Sequence, residues 1–318
     1  MAFENFNVKE NYPGKNLTTI KVGGPIRYFF EAKTKEDLLE VLKEAKRNKI
    51  KFYIIGSGSN LLIKDEGFDG LLIKILFNNI NFLDDKKVFT DAGVFFSKLV
   101  DELAKKGIYL KFALGIPGTI GGAVYGNSGG QTEWIGDFVE KVFVIDTNDF
   151  QEKILTKEEC NFSYRKSIFH EKKHLIITGA LFNFENCNYK KDEFLDFLKY
   201  RRQTQPLSEP SFGSTFRGVS VDKLPKDVLE NIVKQFPEEK NKINEFFEKG
   251  IVPAGWMIEK CGLKNFQIGG AKFSEKHSNF IVNVGNANFK DVISLINLAK
   301  QKAKEKFNID LETEVQII

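Results

Sequence analysis

Between Gly107 and Gly136 glycine recurs too often for a regular helix or strand, and the run culminates in GIPGTIGGAVYGNSGG from Gly115 to Gly130. Glycine loses more conformational freedom on folding than any other residue. Such a run therefore belongs where backbone must come close to something. Gly115, Pro117, Gly118, Thr119, Gly121, Gly122 and Ala123 leave a wall of small residues against which a flat or extended ligand can lie, with close backbone packing as the plainer alternative. A second loop, Gly56-Ser57-Gly58-Ser59-Asn60, follows the β-rich run Lys51 to Ile55, where glycines let successive N–H groups converge on an anion. A tight turn is the alternative there. Leu61 stands where G-x-G-x-x-G would need its third glycine, and no Gly-Lys-Ser/Thr follows, so neither a Rossmann site nor a P-loop is indicated. Two such loops in one α/β region favour a dinucleotide, which needs a long contact line with little side-chain bulk.

The remaining chain supplies a frame for these loops. At 318 residues with 42% hydrophobic and 28% charged content, two or three packed globular units are expected. Thr34-Lys35-Glu36-Asp37 offers a capping box before Leu38, Val41, Leu42 and Ala45 at helical spacing. Phe95, Phe96, Leu99, Val100 and Leu103 predict a second helix stopped by Gly107. Residues 138 to 184 read as strands separated by polar turns. A helix around Phe194 to Leu198 should end near Arg201-Arg202, because Pro206 and Pro210 follow, and that proline pair is the expected domain boundary. The last third reads as two short surface helices within 218 to 252, a long helix from about Asn288 to Phe307, and a strand-like tail from Leu311 to Ile318.

Partners are narrowed by charge. The net charge of +4 arises from 47 basic and 43 acidic residues spread along the chain, too balanced for a nucleic-acid binder. No apolar run approaches the roughly 18 residues of a membrane span, and the N-terminus has no basic start followed by an apolar stretch. A cytoplasmic protein with small anionic ligands is expected. Cys160, Cys187 and Cys261 show no metal or disulfide spacing.

Four groups of side chains are candidates for chemistry. His170-Glu171-Lys172-Lys173-His174 matches H-E-x-x-H, but zinc chemistry needs that motif on a helix. Here Leu175-Ile176-Ile177 begins a strand directly after it, so a turn and no metal are expected. Tyr164-Arg165 places an arginine among strand and turn residues, where its fork could grip a carboxylate through two hydrogen bonds. Ser214 lies in the loop SFGSTFR just past the prolines, with Arg217 three residues on. Glu314 lies in the tail, where alternation puts it on one face with Glu312.

The order of the motifs carries a resemblance. N-L-T-T-I-K-V-G-G-P at 16–25, G-S-G-S-N-L-L at 56–62, the glycine run at 115–130, F-S-Y-R-K-S-I-F at 162–169, Q-P at 205–206, G-S-T-F at 213–216, A-G-W-M-I-E-K-C-G-L-K at 254–264 and H-S-N-F-I-V-N at 277–283 resemble the UDP-N-acetylenolpyruvoylglucosamine reductase family over nearly the whole chain. That resemblance implies an α+β fold: a two-lobed FAD-binding domain of the vanillyl-alcohol-oxidase (PCMH) type at 16–190, with lobes 16–78 and 79–190, then a substrate domain at 200–318. It implies a cytoplasmic flavoenzyme of peptidoglycan synthesis, with FAD as cofactor and NADPH as hydride donor, that reduces UDP-N-acetylglucosamine enolpyruvate to UDP-N-acetylmuramate. Arg165, Ser214 and Glu314 match the family's carboxylate-binding arginine, proton-donating serine and C-terminal glutamate. Tyr164, Arg165 and Arg217 are the implied substrate contacts.

Two departures stand out. The chain runs from Phe184 almost directly to the helix near Phe194, as in the shorter form of the family, which lacks a loop bearing a substrate-covering tyrosine. About thirty extra residues, 218 to 252, follow G-S-T-F-R, and their helical spacing predicts a peripheral insertion. The glycine loops alone would also suit another FAD oxidoreductase of the same fold, or a non-catalytic nucleotide-sugar binder.

Chemistry agrees with the assignments. Hydride added to the terminal carbon of an enolpyruvyl group leaves negative charge at the neighbouring carbon, which a cation on the carboxylate stabilises. Arg165 suits that task. The carbon must then be protonated, and a hydroxyl held within hydrogen-bond reach suffices against so basic a centre, which suits Ser214. Glu314 could hold the substrate carboxylate if burial raises its pKa and keeps it protonated.

Overall fold

The computed structural model describes residues 3–130, 133–187 and 189–318. Its contacts divide the chain into two units: Met1–Leu17, Gly24–Ser59 and Glu66–Gln203 form the first, and Thr18–Gly23, Asn60–Asp65 and Thr204–Ile318 the second. Two short segments near the N-terminus thus count with the C-terminal unit, and the helix after Tyr189 counts with the first.

The first unit holds two sheets. In one, Pro25–Ala32, Phe68–Ile75 and Phe52–Ile55 run parallel, with Lys9–Pro13 added antiparallel at the edge. The helix Lys35–Arg47 carries Leu38, Val41, Leu42 and Ala45 into the core. Its start is fixed as expected: Thr34 Oγ1 accepts from Asp37 N at 3.0 Å while Asp37 Oδ2 accepts from Thr34 N at 3.0 Å. Reciprocal caps of this kind satisfy two donors that the first turn leaves open.

The second sheet is antiparallel throughout, in the order Ile80–Phe82, Lys87–Asp91, Leu175–Asn183, Val139–Asp146, Gln151–Thr156. The helix Phe96–Lys105 ends at Lys106, and Gly107 follows with φ +80°. Phe95 lies just before this helix and is exposed, so the apolar stripe begins one residue later than its spacing predicts. The helix at the end of the unit spans Lys191–Thr204, past Arg201-Arg202.

In the second unit a sheet in the order Ser211–Ser214, Phe280–Asn283, Ala271–Phe273, Gln267–Ile268 shares a core with the long helix Phe289–Phe307. Asn288 and Asp291 cap that helix reciprocally, and Asn308 closes it with φ +56°.

Two expectations need correction. The tail is not one strand: Thr313 makes an isolated bridge to Phe216, and only Gln316–Ile317 pairs, parallel to Leu61–Leu62. A two-residue partner gives the ladder nowhere to extend, so the alternation argument does not fix the face of Glu314. The stretch 218 to 252 does form helices, Lys226–Gln235 and Lys240–Glu248. However, Val228, Ile232 and Ile243 are buried in the core of the second unit, and Val219–Ser220 pairs with Ile251–Val252 to close the excursion. It is part of the unit's packing rather than an attachment to it.

Candidate active site

In the first unit the two glycine loops come together. Phe52–Ile55 delivers Gly56 to Ser59 beside the start of the short helix Ile120–Tyr125. A Cβ on Gly56 would stand 2.2 Å from Thr119 Oγ1, well inside contact distance, so only glycine allows this approach. Ser59 Oγ donates to Pro117 O at 3.3 Å. The second loop is in turn tied to strand ends, with Phe96 N donating to Gly118 O at 3.0 Å and Gly121 N to Ala92 O at 2.8 Å. Small side chains at 121 and 92 make that contact possible, since a Cβ on Gly121 would lie 2.9 Å from that of Ala92.

These loops fit a phosphate-bearing dinucleotide. Ser57 Oγ is buried with no hydrogen-bond partner, a donor that native interiors rarely leave unused. Backbone of this kind, with φ +69° at Gly58 and +120° at Gly118, turns N–H groups to one side, as anion-binding nests do. Gly56, Ser57, Gly58, Ser59, Gly115, Pro117, Gly118, Thr119, Gly121, Gly122 and Ala123, the residues expected to contact FAD, all lie in these two loops or in the first turn of the helix Ile120–Tyr125. Asn60 counts with the second unit, where its side-chain amide donates to Glu314 O at 3.1 Å.

Arg165 sits at the tip of a two-residue turn. Ser163 and Lys166 bridge one another through N–H to C=O bonds of 3.1 Å in both directions, leaving Tyr164 and Arg165 between them. Arg165 has φ +56°, a left-handed conformation that costs an L-residue about 1–2 kcal/mol. Strain of this sort persists where neighbours over-determine the backbone. Tyr164 is exposed and meets Trp134 edge to face, 6.4 Å between centroids.

Arg201, read in the sequence only as a helix end, belongs with Arg165. Burial, and then the guanidinium of Arg165, bring its pKa down to about 10. Its Nε would lie 3.2 Å from a Cβ on Gly115, so it lines the second glycine loop. An anion placed at the pair would relieve the repulsion between the two guanidiniums. The available signal was the Arg-Arg pair in a last helical turn just before the prolines.

In the second unit Ser214 ends the strand Ser211–Ser214, opposite Phe280, after Gly213 at φ +79°. Glu314 N donates to Thr215 O at 2.8 Å, so Ser214 and the half-buried Glu314 are brought to neighbouring positions by backbone pairing. Asn279 fixes the turn after Ser214, donating from Nδ2 to Phe216 O at 2.8 Å and accepting from Phe216 N at 3.0 Å. Arg217 approaches Glu312 at 4.0 Å, and its Nε is buried without a hydrogen-bond partner. H-E-x-x-H is not a helix: Ile168–His170 is one 3-10 turn, and Glu171 to Lys173 are exposed before the strand at Leu175. Among the described residues no group of three His, Cys, Asp or Glu side chains could hold a metal.

Residues 205–318 match the family described as UDP-N-acetylenolpyruvoylglucosamine reductase, C-terminal domain, and 26–149 match an FAD binding domain. A relative bearing the reductase's name in Caldanaerobacter subterraneus subsp. tengcongensis is 35% identical over 97% of this chain and 92% of its own length. One in Bacillus subtilis is 35% identical over 98% and 94%. The chain belongs to the UDP-N-acetylenolpyruvoylglucosamine reductase family. The solved structure of the Thermus caldophilus reductase superposes with a TM-score of 0.73 at 29% identity, covering 98% of each chain. As a member of this reductase family the protein is an FAD-dependent oxidoreductase of peptidoglycan synthesis, with NADPH as reductant. Its α+β fold joins a two-lobed FAD domain to a C-terminal domain. A non-catalytic binder, or a flavin oxidoreductase with another task, is set aside by a match that runs through both units.

Proposed function

We propose that the protein reduces the enolpyruvyl ether of UDP-N-acetylglucosamine enolpyruvate to the lactyl ether of UDP-N-acetylmuramate, with Arg165, Ser214 and Glu314 as its working side chains. The strained Arg165 turn beside the half-buried Arg201 carries this reading, because holding an anion offsets both costs. The glycine loops at 56–59 and 115–123 would seat FAD, which when bound would supply hydride transfer between NADPH and the substrate's terminal carbon.

The side chains then divide the rest. Arg165, with Arg201 beside it, binds the substrate carboxylate and stabilises the charge that spreads into it as hydride arrives. Electrostatic stabilisation works best when the donors are already in place, and the turn holds Arg165 so. Ser214 Oγ gives its proton to the carbon that carries the developing charge, and solvent restores it. Hydride and proton together saturate the double bond. Glu314 would hold the same carboxylate by donating a hydrogen bond from a protonated carboxyl, and Tyr164 and Arg217 contact the nucleotide sugar. Both substrates are soluble anions, which suits a cytoplasmic enzyme. No helix among the described residues is long and apolar enough to cross a membrane.

The test is a spectrum followed by mixing. The purified protein should carry the yellow flavin absorbance, lose it on anaerobic addition of NADPH, and regain it on addition of the UDP-enolpyruvyl sugar with UDP-N-acetylmuramate as product. A flavin that NADPH bleaches but this sugar does not restore would overturn the substrate assignment.

A further inference from the structure

Late in the glycine run, before the Arg165 turn, lies one buried residue to which neither the site assignments nor the mechanism gives a role. Asn127 follows the short helix Ile120–Tyr125, is 4% exposed, and has φ +43°, a conformation asparagine tolerates better than most residues. Its side-chain amide is used at both ends. Oδ1 accepts from Gly136 N at 3.0 Å, and Nδ2 donates to Ser163 O at 2.9 Å. Ser163 is the first residue of the turn that bears Arg165, and its carbonyl also accepts from Lys166 N. On the other stem, Ser167 Oγ donates to Tyr125 O at 2.6 Å. Both stems are therefore tied to one short stretch, Tyr125 to Asn127, at the end of the helix that begins in the second glycine loop.

We propose that Asn127 is a positioning residue for Arg165: its amide sets the turn's place relative to the glycine helix, so the segment that would seat the cofactor also aims the substrate-binding arginine. This rests on the reading of Arg165 given above. The chemistry required is specific. A group at 127 must donate to one carbonyl and accept from one N–H at once, which an amide does and a carboxylate or an alkyl group does not. Leucine would leave Gly136 N and the Asn127 side of Ser163 O without partners. Aspartate would set an oxygen against the Ser163 carbonyl. The approach is also close, since a Cβ on Gly136 would lie 2.7 Å from Asn127 Oδ1 and 2.7 Å from Phe162 Cγ. The chain before the turn is thus packed where a small displacement has no slack to absorb it. The left-handed backbone at Arg165 is the kind of conformation that needs such over-determination.

The experiment follows the two half-reactions of the holoenzyme by anaerobic stopped flow, in Asn127→Asp, Arg165→Ala and the double variant. Asn127→Asp should retain full flavin and bleach with NADPH at the wild-type rate, yet be reoxidised by the UDP-enolpyruvyl sugar about 10²-fold more slowly, the scale of an ångström-sized misplacement. In the Arg165→Ala background the same change should add no further slowing, because residues that act as a unit are not additive. Reoxidation of Asn127→Asp at the wild-type rate, while Arg165→Ala is slow, overturns the proposal. So does equal slowing of both half-reactions, or a full additional loss in the double variant, since each describes a general packing role. Wild-type reoxidation in Arg165→Ala itself would instead refute the reading beneath the proposal, and the two failures are distinguishable. Should Asn127→Asp fail to fold, Ser167→Ala cuts the other stem. It must then show the selective slowing and the lack of additivity with Arg165→Ala, and wild-type behaviour there overturns the proposal.

Discussion

The loops at 56–59 and 115–123 offer backbone, whereas Ser211 to Arg217 and the tail at 311–318 offer side chains. In the first region the constraint is on what may be absent: Gly56 has no room for a Cβ beside Thr119, and Ala92 stands against Gly121. In the second, ordinary pairing places Ser214 opposite Phe280 and Glu314 N against Thr215 O, and any residue with the same backbone would fit. Backbone sites leave a compositional trace that can be read without relatives. Side-chain sites leave single letters, which acquire meaning only from the order of motifs around them. The same contrast predicts how each region fails, the first by losing its ligand and the second by losing a step.

Gly58→Val should have the largest effect. A branched Cβ at φ +69° opposes both the backbone and any close ligand, so the purified variant should be folded and colourless, with almost no bound flavin. Full flavin content in a folded Gly58→Val protein would break the comparison, because the loop would then tolerate side chains as the second region does.

Glu239→Ala probes the second unit by its own packing. Glu239 accepts a hydrogen bond from Trp256 Nε1 at 2.6 Å and another from Lys260 Nζ, fastening the 218–252 excursion to the helix Ala254–Lys260. Lys260, and then Trp256, hold its carboxyl below the usual range. Removing it should cost about 1–3 kcal/mol of stability, the range for a buried donor left unpaired, while flavin content stays at the wild-type level. A lowered carboxyl pKa stabilises fully above the ordinary carboxylate value, and the benefit is lost as pH falls through the lowered one. Wild type and variant should therefore converge in acid, and urea melts at several pH values check this. Loss of flavin in Glu239→Ala would show that the two regions are not separable.

Arg201→Met should have the smallest effect on stability, and the opposite sign. Burial and Arg165 lower the Arg201 pKa to about 10, so the charged side chain destabilises the fold below that pH. Replacing it should raise stability by about 1 kcal/mol at neutral pH once loss of its contact with the Phe197 ring is deducted. The KM for the UDP sugar should rise, because the arginine that faces the anion has lost its charge. A variant that is less stable, with unchanged KM, would mean that Arg201 serves packing and not an anion.

What could be read in the sequence follows the reach of the forces concerned. Thr34 with Asp37, Asn288 with Asp291, and Gly107 are local devices whose signals lie within one turn, and each helix begins or ends where its signal stands. The tail misled because L-E-T-E-V-Q-I-I alternates like a strand, while the partner that decides its length, Leu61–Leu62, is remote in sequence and only two residues long. The 218–252 excursion looked peripheral because its apolar residues keep helical spacing while its remainder is charged, yet three residues of that apolar spacing, Val228, Ile232 and Ile243, are buried. Asn127 was illegible, and Arg201 showed only as an Arg-Arg pair, for a different reason. Their roles come from a turn far along the chain whose position no local pattern encodes.

The central claim is that the flavin's seat and the substrate's chemistry are carried by separable residues, and Ser214→Ala tests it most directly. Its proton is needed only after hydride has reached the substrate. In anaerobic stopped flow, the Ser214→Ala holoenzyme should therefore be bleached by NADPH at the wild-type rate and then be reoxidised by the UDP-enolpyruvyl sugar at least about 10²-fold more slowly, the lower end of what positioned proton transfer contributes. Reoxidation at the wild-type rate, or equal slowing of both phases, would contradict it.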